Sequence, residues 1–184
     1  MDSRVTVRAA RAEDAATMAR MQVQSWRDTY RGLMRDEVLD DPTFVPRREE
    51  FWTAALTDER YAANRAAVAE CDGEIVGVAM SGPPLEVPAS AVQPEPTEPS
   101  ASAVQTTAAV QLYILYVAVA HLGQGVGLAL LDAVIRPSES ACLWVADPNP
   151  RAQVFYAKHG FRAGGAHTVE DGVREIRMVR PARA

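Results

Sequence analysis

The chain is almost without lysine: Lys158 is the only one among 184 residues, and arginine carries the rest of the positive charge. No basic cluster exceeds the pair Arg47-Arg48, and the net charge is −5 at pH 7. A nucleic-acid binder presents a basic face or stripe, so that class is set aside. The mild acidity suits cationic small ligands better than anionic polymers. Long apolar runs are also missing. No stretch reaches the roughly 20 residues that a membrane helix needs, and the opening "MDSRVTVRAA" lacks the apolar core of a secretory signal. A cytoplasmic location with no membrane partner is therefore expected. Cysteine is scarce. Cys71 and Cys142 stand far apart in apolar, strand-like segments, which argues against a disulfide scaffold or a zinc site and predicts two buried free thiols. No metal is expected.

What is present is ordinary globular material, 48% hydrophobic and 23% charged, enough to bury a core in one domain spanning 1–184. "RVTVRAA" alternates like a first strand. Glu13 and Asp14 then open a helix where acids are favoured, and Ala15, Met18, Ala19 and Met21 give it an apolar stripe. Pro42 and Pro46 are expected to break the mixed aromatic and charged segment beyond that helix, with a short helical segment over "RREEFWTAAL". "RAAVAECDGEIVGVAMSGPP" predicts a hairpin turning on Asp72-Gly73. From 82 to 109 the composition shifts to Pro, Ala, Ser, Thr and Glu, with six of the twelve prolines. That predicts a long exposed loop inserted within the domain. "VQLYILYVAVA" (110–120) and "ACLWVA" read as buried strands, and "LALLDAVI" as a helix ended by Pro137. A second helix is expected from about Pro150 to His159, stopped by Gly160, before a closing hairpin on Asp171-Gly172. The fold class is α/β, with a mixed (α+β) sheet.

"HLGQGVGLALL" (121–131) places Gly123, Gly125 and Gly127 between a strand and a helix. A dinucleotide fingerprint requires G-x-G-x-x-G, and its last position falls on Leu128; a Walker A loop requires Gly-Lys-Ser/Thr, which is absent. A tight turn with no ligand is one alternative. The other is anion binding by free N–H groups at the head of the helix beyond, where missing Cβ atoms let phosphates approach. The segment "LWVADPNPRAQVFYAKHGF" (143–161) narrows the choice. Pro150 forces Asn149 into extended geometry and itself suits the first helical position, so Asn149 reads as an N-cap. Tyr156 lies two turns further on the same face, roughly 10 Å along the axis. Read in isolation, Tyr156 is more simply a core aromatic beside Phe155.

Taken together, these two segments resemble the GCN5-related N-acetyltransferase (GNAT) family. The family's acetyl-CoA motif, Q/R-x-x-G-x-G/A, corresponds here to Leu122, Gly123, Gln124, Gly125, Val126 and Gly127. Its later motif, N-x-x-A-x-x-F/L-Y-x-x-x-G-F, corresponds to Asn149, Ala152, Phe155, Tyr156, Gly160 and Phe161. The resemblance runs from Val5 to Val179. It implies a GNAT-like fold, a twisted mixed sheet of six to seven strands flanked by about four helices. It also implies acetyl-CoA as co-substrate and a primary amine as acceptor, in a small molecule or a protein. On this reading Leu115, Tyr116 and Val117 present main-chain groups to the pantetheine and thioester, 122–128 including Leu128 cradle the pyrophosphate, Asn149 bonds the pantetheine, and Tyr156 protonates the leaving thiolate. Trp26, Tyr30 and the proline-rich loop would wall the acceptor pocket, and a homodimer is compatible with the family. Three departures stand out. Leu122 replaces a polar residue, Gln111 stands where relatives often carry a glutamate base, and the proline-rich insertion is additional. Glu70, Asp72, Asp147 or a water chain are the remaining candidates for the base. A non-catalytic acyl-CoA sensor is the main alternative, and an NAD(P)-dependent oxidoreductase a more distant one.

Overall fold

The computed structural model describes residues 5–32, 34–85, 93–94, 108–170 and 172–183. The elements in chain order are β1 (Val5–Ala9), α1 (Ala15–Tyr30), α2 (Asp36–Leu39), α3 (Phe44–Thr57), β2 (Arg65–Cys71), β3 (Glu74–Gly82), β4 (Gln93–Pro94), β5 (Val110–Val117), α4 (Val126–Val134), β6 (Ala141–Ala146), α5 (Pro150–Lys158), β7 (Arg162–Glu170) and β8 (Val173–Arg180). Among the described residues this is a mixed α/β architecture of seven longer strands, one two-residue strand and five α-helices. The chain divides into two compact units, Met1–Gly82 with Ile114–Val134, and Pro83–Tyr113 with Ile135–Ala184. Strand β5 contributes its second half to the first unit and its first half to the second.

In the first unit the strand order is β1-β2-β3-β5. The β2–β3 hairpin turns on Asp72 and Gly73, both left-handed at φ 51° and 86°. That pair matches the right-handed twist of the strands it joins. Helix α1 buries Ala15, Met18, Ala19, Met21, Gln22, Val23 and Ser25, the 3–4 spacing of one helix face. Its start is pinned by Asp14, which accepts from the Arg11 N–H (2.7 Å) and takes both ends of the Arg8 guanidinium (2.7 and 2.9 Å). Arg8 also reaches Glu70 on β2 at 2.6 Å, so one cation ties together β1, the head of α1 and β2. The fully buried Trp52 of α3 donates from Nε1 to Oε1 of Gln22 (2.8 Å). This satisfies two polar groups that would otherwise be costly to bury.

Two features differ from the sequence expectation. Pro46 does not break a helix: it is the third residue of α3, where the backbone N–H has no intrahelical acceptor to lose. The break comes earlier, after Tyr30, where Gly32 takes φ +84°, and α2 forms an additional single turn. Helix α4 lies against β1, β2 and β3, burying Val126, Leu130, Leu131 and Val134. The carbonyl of Val134 accepts from Ser81 Oγ (2.6 Å) and Arg65 (3.0 Å), satisfying one of the orphan groups at the helix end.

In the second unit the order is β5-β6-β8-β7-β4. β5 and β6 are parallel, with Val110 opposite Ala141, and β8 runs antiparallel to both β6 and β7. Gly160 stops α5 at φ +89°, and Phe161 beyond it is buried at 1% exposure. Of the proline-rich insertion, Gln93–Pro94 pairs with His167 and Ala166 of β7; 86–92 and 95–107 lie outside the described residues. So does Asp171 of the closing turn, where Gly172 has φ +81°. Both cysteines are buried free thiols. No helix among the described residues is long and apolar enough to cross a membrane.

Candidate active site

The first unit brings 115–117 and 122–128 into one continuous turn. β5 ends at Val117, and the N–H of Ala118 still reaches the carbonyl of Val76 in β3 (2.8 Å). A single 3₁₀ turn over Val119–His121 comes next, and Leu122 is extended and half-buried. Gly123 and Gly125 have φ +75° and +82°, which any side chain would strain, and a Cβ at either would meet nothing within 4 Å. The glycines therefore serve the backbone and leave open space beside it. Gln124 closes the turn by donating from Nε2 to the carbonyl of Ala120 (2.9 Å). The N–H of Ala129 is bonded to the carbonyl of Gly125 (3.0 Å). The N–H groups of Val126, Gly127 and Leu128 thus stand at the positive end of α4 without intrahelical partners. An anionic phosphate suits this end, and Leu122 adds no polar side chain to it.

Sequence reasoning missed what sets the height of this helix. Gly77, inside β3, faces α4: a Cβ there would stand 2.7 Å from Leu130 Cδ1 and 3.3 Å from the carbonyl oxygen of Tyr116. The lone glycine in "EIVGVAM" was the available signal, since a glycine inside a strand often marks a close backbone approach.

Trp26 and Tyr30 meet edge to face, centroids 5.4 Å apart, and Trp26 meets Phe44 likewise at 5.3 Å. Trp26 and Tyr30 are half-buried, and the buried Trp26 Nε1 has no hydrogen-bond partner among the described residues. Over this cluster lies a residue that sequence reasoning noted only as half of a basic pair. The Arg48 guanidinium carbon stands 5.6 Å from the Trp26 ring centroid and 5.2 Å from that of Phe51.

In the second unit, α5 carries both Asn149 and Tyr156. Asn149 Oδ1 accepts from the Ala152 N–H (3.2 Å), making it the N-cap the sequence suggested. This use fixes the amide's orientation and leaves its NH₂ donors without a partner among the described residues. Cap and ligand contact are thus compatible in one side chain. Tyr156 is 8% exposed, its ring edge-to-face with Phe155 (5.2 Å) and Phe161 (5.6 Å). The packing is that of a core aromatic, and it also fixes where the phenol points.

The base candidates fare unevenly. Glu70 is bound to Arg8 (2.6 Å) and Asp147 is paired with Arg174, so both carboxylates already hold a guanidinium. Asp72 sits exposed at the hairpin tip. Gln111 is buried and accepts from the Leu85 N–H (3.0 Å), while Tyr113 two residues on donates to the Pro83 carbonyl. Both side chains anchor the start of the proline-rich insertion, a structural task.

Residues 23–161 match the family described as "Acetyltransferase (GNAT) family". A probable N-acetyltransferase of Mycobacterium tuberculosis is 28% identical over 167 residues, spanning 89% of this chain and 83% of its own. Among solved structures, the PaiA N-acetyltransferase of Thermoplasma acidophilum, in complex with coenzyme A, superposes with a TM-score of 0.67 at 16% identity, covering 97% of this chain and 99% of that one. A Corynebacterium glutamicum protein described as histone acetyltransferase HPA2 and related acetyltransferase gives 0.65 at 23%, covering 98% and 97%.

Proposed function

The chain belongs to the GNAT acetyltransferase family, and from that premise we propose that it transfers acetyl from acetyl-CoA to a primary amine by direct attack on the thioester. The observation that carries the reading is the turn from β5 into α4. Gly123 and Gly125 are left-handed beside open space, and the N–H groups of 126–128 head the helix without intrahelical acceptors. These residues fit a pyrophosphate.

Acetyl-CoA supplies the activated acyl group, and the chain supplies binding, orientation and a proton. Residues 122–128 hold the pyrophosphate through main-chain N–H groups, which is why Leu122 is tolerated. The Asn149 amide, oriented by its cap bond, donates to the pantetheine. Main-chain groups of Leu115, Tyr116 and Val117 orient the thioester and oppose the charge that develops on its oxygen, a large contribution when the donors are pre-positioned. Tyr156 gives its proton to the departing thiolate; a phenol near pKa 10 is close enough to an alkyl thiol for transfer with little driving force. With Glu70 and Asp147 in ion pairs, the amine's proton leaves through Asp72 or water. Trp26 and Tyr30 line the acceptor side. The two buried thiols support a cytoplasmic setting.

The test is thiol release from acetyl-CoA across a panel of primary amines, alongside melting with CoA or NAD. Turnover with at least one amine, and stabilisation by CoA but not NAD, is expected. CoA binding without turnover on any amine would replace this reading with a non-catalytic sensor.

A further inference from the structure

Arg48 is a half-buried cation of the first unit without an ion pair among the described residues. Its neighbour Arg47 is paired with Asp41 at 2.9 Å, Arg31 holds Asp36 and Asp40, and Arg8 holds Asp14 and Glu70. Arg48 makes no ion pair and donates no hydrogen bond to any described residue. Burial makes that isolation costly, because it penalises the charged form. The guanidinium instead lies over two aromatic rings, Trp26 and Phe51, which stabilise the cation and hold it still without using its N–H fork. Trp26, on which it lies, is one of the two side chains assigned above to the acceptor side. Such a rigid, unspent fork matches a planar carboxylate with two parallel bonds.

We propose that Arg48, seated on Trp26 and Phe51, binds a carboxylate of the acceptor, so that the substrate is an amine that also bears an acid group. This rests on the amine-acetyltransferase reading above and adds to it the acceptor's second charge.

The test is kcat/KM for matched acceptor pairs, such as 4-aminobutyrate against butylamine and an amino acid against its amide. Arg48→Gln and Arg48→Lys are compared with the parent, and melting temperatures report folding. The parent should prefer the acid by about tenfold to a hundredfold, the range of a charge-assisted bidentate contact. Arg48→Gln should erase that preference by raising KM for the acid alone, with KM for acetyl-CoA unchanged. Arg48→Lys, which keeps the charge and loses the fork, should fall between. Turnover with amines lacking an acid and no acid preference overturns this inference while leaving amine acetylation intact. A loss in Arg48→Gln that is equal for both members of each pair, or a rise in KM for acetyl-CoA, also overturns it. No turnover with any member of either set overturns the amine-acetyltransferase reading, and this inference with it.

Discussion

Replacing Gly77 by alanine tests whether the pyrophosphate turn is held in place by a close helix–sheet approach. The added Cβ would stand 2.7 Å from Leu130 Cδ1, nearer than carbon atoms can sit, and 3.3 Å from the Tyr116 carbonyl. Leu130 is fully buried, so its terminal carbon has little room to swing away. Overpacking of this kind costs about 1–3 kcal/mol. Alanine recovers about 0.4–1 kcal/mol by restricting the unfolded chain, which leaves a net loss of about 1 kcal/mol. In a chain of this length that lowers the melting temperature by about 2–4 °C. Relief by a small outward shift of α4 would carry the N–H groups of 126–128 with it, so CoA affinity should fall about threefold to tenfold, or about 0.6–1.4 kcal/mol. The decisive measurement is a double-mutant cycle with Leu130→Ala, read by urea unfolding and CoA titration. Leu130→Ala alone should cost about 2–5 kcal/mol through its cavity, but Gly77→Ala should be neutral or stabilising in that background. An equal cost for Gly77→Ala in both backgrounds would refute the close-approach argument.

Three further outcomes are expected. Tyr156→Phe should lower kcat by about 10²-fold or more, the scale of a lost general acid, with CoA affinity nearly unchanged; unaltered turnover removes the assigned role. At Asn149, alanine should lose about 1 kcal/mol of stability with the cap and also raise KM for acetyl-CoA, whereas Asn149→Asp keeps the cap acceptor and should raise KM with stability preserved. If Asn149→Asp binds acetyl-CoA normally, the side chain is a cap only. For acid stability, Arg8 holds the Asp14 carboxyl below its usual range. The stabilisation is therefore complete above the unfolded value near 3.9 and is lost as pH falls through the lower folded value. Asp14→Asn should remove this part of the acid limb while lowering stability at neutral pH, checked by melting curves from pH 2.5 to 7.

The local signals were those with short-range causes. Asp72-Gly73 turned where an Asp-Gly pair should, and Asn149-Pro150 capped and opened α5 because capping is decided by adjacent residues. Pro46 misled, since its effect depends on whether it falls in the first turn of a helix or its middle, and α3 begins at Phe44, just after Asp41 accepts from the Thr43 N–H (2.8 Å). Gln111 looked like a lost base from its place in the strand, yet its partner is the Leu85 N–H, 26 positions away. In the sequence Arg48 is only half of an Arg-Arg pair, and the fold alone lays it over Trp26 and Phe51.

By itself the sequence determined the family resemblance and the glycine turn, because a left-handed turn before a helix is a property of contiguous residues. The tertiary structure alone decided which carboxylates are tied up in ion pairs, how closely α4 approaches β3, and that Arg48 lies over two aromatic rings instead of beside a carboxylate. Those facts are distances between residues far apart in the chain, and no local pattern encodes a distance.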